Sequence, residues 1–546
     1  MVYDCKFDGR HKSRLVAGGN WTDPPKEDIY SGVIGMDTVR LAFALASVHK
    51  LKACAADVGN AFLYGKTKEL VAIKAGPEFG DLAGKTLVID KGLYGLKSSA
   101  ARFHEHLAAK LRRMGFKASR ADMDLWYRRV GDHYEYLATY VDDILVFSKD
   151  PMPIIEEIKR DYILKGIGVP EYYLGGNIHE TDEVLREKGI STSISASTYI
   201  HNSLEKMERL LGNGPIRQCK TPMADNAHPE MDESALLSDE YASKYRAMIG
   251  SLNWIVTLGR IDIAYAVNAM ARFNMNPREG HYEMAKRIFG YLRRYPDYEI
   301  RIDPNPHPRD LVQPDKRAQY QSIDWSEYYP DACEEFPPDQ PDPVIFLVQT
   351  TVYVDADHAH DKLTRRSVTG VLLFVNNTPV KWISKRQNTV EASTYGSEMV
   401  AARQACELII EYRYNLRMLG FELDGPTMML GDNNAVVLSS TIPSSQLKKK
   451  HLSIAYHKIR ECNAGQEPIL EFYHIPSQDN LADLLTKPLS RMLFKTLVEK
   501  ILHMDPEKAK AIETGEMDLG HVIDAGEVMN TVMPPIHTPV PIVAAE

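Results

Sequence analysis

The sequence predicts a multidomain α+β protein, and three observations predict it. At 546 residues the chain is too long for one hydrophobic core, so several domains are expected. Residues 1–300 interleave short apolar, β-branched runs with helical patterns, and residues 350–490 do so again. Between them, residues 302–343 hold nine prolines and ten acids against three bases, the composition of a linker or surface insertion. The far end, closing on "VMPPIHTPVPIVAAE", reads as a disordered acidic tail.

Composition excludes several classes. Hydrophobic residues at 44% and charged residues at 25% are ordinary for a globular chain. No apolar run reaches the roughly 18 residues a membrane span needs, and "MVYDCKFDGRHKSRLVAGG" carries no signal core, so an intracellular protein is expected. Six scattered cysteines without a C-x-x-C pair argue for reduced thiols and against a zinc knuckle. The net charge of −9 argues against a polyanionic partner until its distribution is read. Residues 302–343 carry −7 and residues 503–546 carry −6, so the rest of the chain is net positive. Lys91–Arg120 holds eight bases against Glu105, a stripe suited to phosphate, or else a solvated helix face.

In chain order, the first element with chemistry is "CAADVGNAFLYG", where Asp57 ends a short apolar strand. The second is "LATYVDDILVFS". Buried strands exclude unpaired charge, so Asp142 and Asp143 are expected at a hairpin tip, between a strand ending at Tyr140-Val141 and one beginning at Ile144. A lone aspartate is ordinarily a strand-end cap, and an adjacent pair a turn. Three together are the means of holding two magnesium ions for in-line nucleotidyl transfer.

"DVGNAFLYG", "LYGLKSSAARF" and "YVDDILVFS", in that order, resemble the polymerase motifs of copia-type (Pseudoviridae-like) retrotransposon reverse transcriptases. "HKSRLVAGG", "EYYLGGNI" and "YRAMIGSLNWIVTLGRIDIAYAVNAMARF" are similar to further segments of that family. The resemblance implies that Asp57, Asp142 and Asp143 hold the metal, and that Lys12 and Arg14 grip the incoming triphosphate. It makes Phe62 a steric gate against a 2′-hydroxyl, and places Gly95 and Lys97 near template and nucleotide. Lys165 becomes a proton donor to pyrophosphate, and Tyr173, Leu174 and Gly175 a primer grip. One segment departs: Leu96-Lys97-Ser98-Ser99-Ala100-Ala101 stands where the family has L-K-Q-S/A-P-R.

The second block opens with "TVYVDAD", continues with "VTGVLLFVNNTPVKWIS", a hairpin turning at its asparagines, and then a long helix stopped by Gly420. Asp355 ends a strand, Glu398 sits on the helix, Asp432 follows a strand and Asp483 opens a helix. That order of acids is the ribonuclease H order, which again calls for two magnesium ions. This block too resembles copia-type elements, whose first aspartate in D-x-D favours Asp355 over its rival Asp357. His358 and Gly431 replace the family's tryptophan and cysteine. Lys448, Lys449, Lys450, His451, His457 and Arg460 are read as hybrid-backbone contacts or as structural supports, and His474 as a doubtful match to the family's mobile histidine.

The resemblance therefore implies a right-hand fingers, palm and thumb polymerase over 1–230, N-terminally truncated. A helical thumb or connection follows over 231–301, then the acidic segment 302–346, a ribonuclease H-like α/β domain over 347–492, and a C-terminal helix and tail over 493–546. It implies Mg2+ (two ions per site, with Mn2+ able to substitute), an RNA template, a tRNA-like primer, dNTPs and an RNA–DNA hybrid, with no membrane partner. Integrase and other element proteins, a cytoplasmic virus-like particle and nuclear passage belong to the same expectation. The alternative is a domesticated, inactive relic that binds nucleic acid. "LKSSAAR" and the truncated start favour it, and the seven acids count against it.

Overall fold

A computed structural model of the chain describes residues 2–5, 11–23, 25, 29–212, 214–309, 325–344, 346–464 and 467–514. Most of the expected tail, and part of the acidic segment, lie outside the described residues. The chain forms two compact units, whose described residues fall within Met1–Ser31 and Gly59–Arg113 in one, and within Gly32–Val58 and Met114–Leu519 in the other. Among the described residues no helix is long and apolar enough to cross a membrane.

The first unit contains two antiparallel strand pairs, Val2–Cys5 with His11–Arg14 and Lys66–Lys74 with Thr86–Lys91, and the helix Ser99–Arg113. Lys66–Lys74 alternates exposed and half-buried residues, the period of a strand with one covered face. Ser99, inside the altered "LKSSAAR", starts the helix. Its hydroxyl accepts the Leu93 N–H at 2.9 Å and donates to the Leu93 carbonyl at 2.7 Å. The basic run is not simply a solvated face, since Arg102 and Lys110 are buried and Arg102 pairs with Glu105 at 2.9 Å.

The second unit is built on three larger sheets, beside a short parallel pair of Leu347–Val348 with Glu422–Leu423. The first is antiparallel, in the order Leu164–Gly168, Lys52–Val58, Asp143–Ser148, His133–Tyr140, Leu125–Val130 and Lys117–Ala118. Its central strands are apolar on both faces because both are covered, and Leu137, Ile144, Leu145, Val146 and Phe147 are fully buried. Helix Met36–Val48 packs on it, Phe43 meeting Phe147 edge-on at 4.9 Å. The second sheet is antiparallel, in the order Tyr172–Tyr173, Gly176–Glu180, Thr192–Ser195 and Glu299–Ile302. Helices Ser197–Leu211, Asp239–Leu258, Ala264–Ala271 and Glu279–Arg294 pack around a common apolar core.

The third sheet is mixed, in the order Thr378–Arg386, Val368–Val375, Thr350–Asp357, Thr427–Gly431 and Leu470–His474. The first three strands are antiparallel and the last two run parallel to Thr350–Asp357. Asn376, at φ 52°, and Asn377 turn the expected hairpin. Helix Thr394–Met418 packs across this sheet, with the Ser393 side chain accepting the Gly396 N–H at its start.

The acidic segment is anchored where it is described. Glu334 accepts two hydrogen bonds from Arg413, each 2.7 Å, and one from Arg417 at 2.6 Å. Phe336 lies under Arg417, while Asp339 and Asp342 meet Arg120 and Arg129.

Candidate active sites

Asp57 stands directly opposite Asp143 on the adjacent strand. Asp143 is also opposite Tyr140, and Lys165 is opposite Asp57 on its other side. Directly opposed residues share one sheet face. Lys165, Asp57, Asp143 and Tyr140 therefore form a row across four strands. The turn is Val141-Asp142, so Asp143 begins the return strand instead of sharing the tip as expected. The difference is local: Val141 adopts φ 54°, closing the hairpin one residue earlier. Left-handed backbone costs an L-residue about 1–2 kcal/mol, and a β-branched side chain is rare there. The Asp142 carbonyl accepts the Val58 N–H at 2.8 Å, tying the tip to the strand of Asp57.

All three carboxylates are half-buried. Burial first, and then the charges of Asp142 and Asp57, push the Asp143 carboxyl up to about 7. Such clustering of acids is costly in a metal-free protein. Tyr173 belongs to the same surroundings: its phenol is raised by burial and then by Asp143 and Tyr140. Its buried hydroxyl has no hydrogen-bond partner among the described residues. Leu174 and Gly175, at φ 50° and 93°, form the two-residue turn that follows.

In the first unit, Arg14 lies over the Tyr94 ring at 5.6 Å, and Tyr94 meets Phe62 at 4.9 Å. Two expected nucleotide contacts are thus joined by Tyr94, which lies in the "LYGLKSSAARF" motif but takes no role from the resemblance. Gly95 adopts φ 90°, and a Cβ there would lie 2.1 Å from the Ala17 carbonyl oxygen, so the backbones meet only because it is glycine. Lys97 donates to the Thr22 carbonyl at 3.1 Å. Lys12 pairs with Asp4 in the first strand pair, and its side chain lies outside the described residues.

In the third sheet one oxygen each from Asp355, Asp432 and Asp483 lies within 4.8 Å of the other two. Asp355 and Asp483 are buried. Asp483 sits in the 3-10 turn Leu481–Leu485, not at the opening of an α-helix. That turn rests on Gly370, the residue opposite Asp355, where a Cβ would come within 2.7 Å of the Ala482 carbonyl. Asn480 fastens it by donating to the Val354 carbonyl at 3.0 Å and accepting the Ala482 N–H at 3.1 Å.

Glu398 joins the cluster electrostatically. Burial, then Asp355 and Asp432, raise its carboxyl well above the usual range. Burial and Asp355 likewise push Asp483 up to about 8. Lys487 counters them, 2.8 Å from Asp483 and 3.5 Å from Asp355, and Thr486 donates to Asp355. Neither was singled out in the sequence, although the four-residue spacing of Asp483 and Lys487 is a signal for an ion pair. Asp357 turns elsewhere and pairs with His360 at 2.6 Å. The His474 ring lies 3.1 Å from the Asp432 carbonyl. Arg460 is buried and donates to the carbonyls of Ser439, Ile442 and Pro443, a structural role.

Residues 1–224 match the family model described as reverse transcriptase (RNA-dependent DNA polymerase). The chain is 28% identical over 508 residues to the "Retrovirus-related Pol polyprotein from transposon RE1" of Arabidopsis thaliana, covering 90% of this chain and 30% of that protein. It is 26% identical to the corresponding polyprotein from transposon TNT 1-94 of Nicotiana tabacum, covering 91% of this chain and 34% of that protein. It thus spans about a third of the curated relatives it matches. Among solved structures, a foamy viral protease–reverse transcriptase in complex with an RNA/DNA hybrid aligns over 82% of this chain and 47% of its own, with TM-score 0.39 and 11% identity. The first 224 residues thus match the reverse transcriptase family model, and nine-tenths of the sequence is similar to about a third of the retrotransposon Pol polyproteins of RE1 and TNT 1-94.

Proposed function

We propose that the chain is an RNA-directed DNA polymerase that extends a primer on a retrotransposon transcript at Asp57, Asp142 and Asp143, and cleaves the RNA of the resulting hybrid at Asp355, Glu398, Asp432 and Asp483. The observation that carries the reading is the pairing of Asp57 with Asp143 beside the strained Val141-Asp142 turn, matched by a second, separate carboxylate cluster.

Both clusters suit hard divalent cations. Their donors are carboxylate oxygens, and the raised Asp143, Glu398 and Asp483 carboxyls are what like charges without a counter-ion produce. Two Mg2+ ions per site, when bound, supply activation of the attacking oxygen and neutralisation of the charge on the leaving group. The chain's own residues do the rest. The aspartates of the first site would hold the ions where Asp57 and Asp143 face each other across the sheet. Lys165, opposite Asp57, is the proton donor to the departing pyrophosphate. Arg14 and Lys12 bind the triphosphate, Phe62 excludes the ribose 2′-hydroxyl, and Gly95 and Lys97 border the template. Tyr173, Leu174 and Gly175 hold the primer end near Asp143. An RNA template, a tRNA-like primer and dNTPs are the partners that follow.

Extension of oligo(dT) on poly(rA) with Mg2+ tests the polymerase. The chain should incorporate dTTP, and Asp142→Asn should lose at least about a hundredfold in rate. Equal, background-level incorporation by both would favour the inactive relic.

A further inference from the structure

In the second carboxylate cluster a cation is already seated. The Lys487 ammonium lies 2.8 Å from Asp483 and 3.5 Å from Asp355, in contact with two of the three clustered aspartates. The lysine is held there by its surroundings. Thr486 is pinned to Asp355 by its hydroxyl, and the preceding turn lies on Gly370 and is tied to Val354 through Asn480. About a third of the Lys487 side chain remains exposed, so the ammonium has a route to solvent.

The Lys487 ammonium and a divalent ion compete for the same carboxylates. Mg2+ binds oxygen at about 2.0–2.1 Å, and the lysine already contacts one oxygen of Asp483 and one of Asp355. Their mutual repulsion in a half-buried setting is only weakly screened. We propose that Lys487 is a resident counter-ion that a divalent metal must displace from Asp483 and Asp355, so that metal entry and lysine departure are one exchange. The inference rests on the ribonuclease H reading of this cluster and adds a property to it. Lys487 holds the acids together without metal, and it raises the metal concentration at which the site fills. It acts through the aspartates and is a positioning residue.

The test is calorimetric titration of the full chain with Mn2+, free of nucleic acid, alongside Asp432→Asn to identify which binding step belongs to this site. Lys487→Met keeps the aliphatic stem and removes the charge, and Lys487→Arg keeps the charge. Lys487→Met should bind Mn2+ at the Asp432-dependent step about tenfold or more tightly than the parent, and should melt earlier in EDTA. Lys487→Arg should stay close to the parent in affinity. Circular dichroism checks that each variant is folded, with Lys487→Gln as the second neutral variant. Affinity unchanged or weakened in folded Lys487→Met or Lys487→Gln overturns the exchange while leaving the metal site standing. Absence of any Asp432-dependent step in the parent overturns the metal reading, and the exchange with it.

Discussion

Asp57 and Asp143 face one another across two adjacent antiparallel strands, with Lys165 completing the row on the far side of Asp57. A row of acid against acid is unfavourable in a bare sheet, and its consequences are measurable.

The metal-free protein should lose stability as pH rises. Asp143 has an ordinary value of 3.8 and is pushed up to about 7 in the fold, and Asp483 to about 8. For an acid raised by folding, the neutral form is favoured in the native state. The stability it lends is fully present below the unfolded value, and is lost as pH climbs from about 4 towards 7 or 8. Asp143→Asn should remove part of that fall and raise the stability of the metal-free protein near pH 8 by about 1–3 kcal/mol. Urea titrations in EDTA at pH 5 and 8 measure it. Parallel pH profiles for parent and variant would contradict it.

The anchored part of the acidic segment should matter through one residue. Glu334 joins buried Arg413 and Arg417, and removing it leaves Arg413 a buried charge short of its partner. Glu334→Ala should cost about 3–5 kcal/mol. Asp339→Ala breaks an exposed pair with Arg120 and should cost less than about 1 kcal/mol. Denaturant midpoints distinguish the two, and equal effects would deny Glu334 its bracing role.

Phe62 and Arg14 both lean on Tyr94. Phe62→Ala should raise ribonucleotide incorporation about tenfold or more relative to deoxynucleotide. Tyr94→Ala should raise the dNTP KM several-fold more than it lowers kcat, because it loosens binding contacts and leaves the aspartates alone. Steady-state extension with dTTP and UTP reads both. A Tyr94→Ala loss confined to kcat would argue against this arrangement.

Much of this was legible in the sequence, for physical reasons. Acids beside apolar strands cannot be buried unpaired, so Asp57, Asp142 and Asp432 announce themselves at or next to strand ends, whereas Asp355 lies inside its strand, opposite Gly370. The asparagine hairpin at Asn376 and the stop at Gly420, with φ 82°, follow from local backbone preference. What local pattern does not carry is long-range pairing. Proline and acid content mark residues 302–346 as a linker or surface insertion, but do not show that Glu334 meets arginines about 80 residues away in sequence. Nothing near Val141 signals a left-handed turn, since a β-branched residue is disfavoured there. Lys487 has the spacing of an ion pair with Asp483, but Asp355, its second partner, is brought in by the sheet.

The central claim is that one chain holds two independent carboxylate sites, one building DNA and the other removing RNA. The most direct measurement is a paired assay on a labelled RNA–DNA primer–template, with Asp142→Asn and Asp432→Asn run side by side. The account predicts that Asp142→Asn abolishes extension and spares RNA cleavage, and that Asp432→Asn abolishes cleavage and spares extension. Loss of both activities in either folded variant, or of neither, would contradict it.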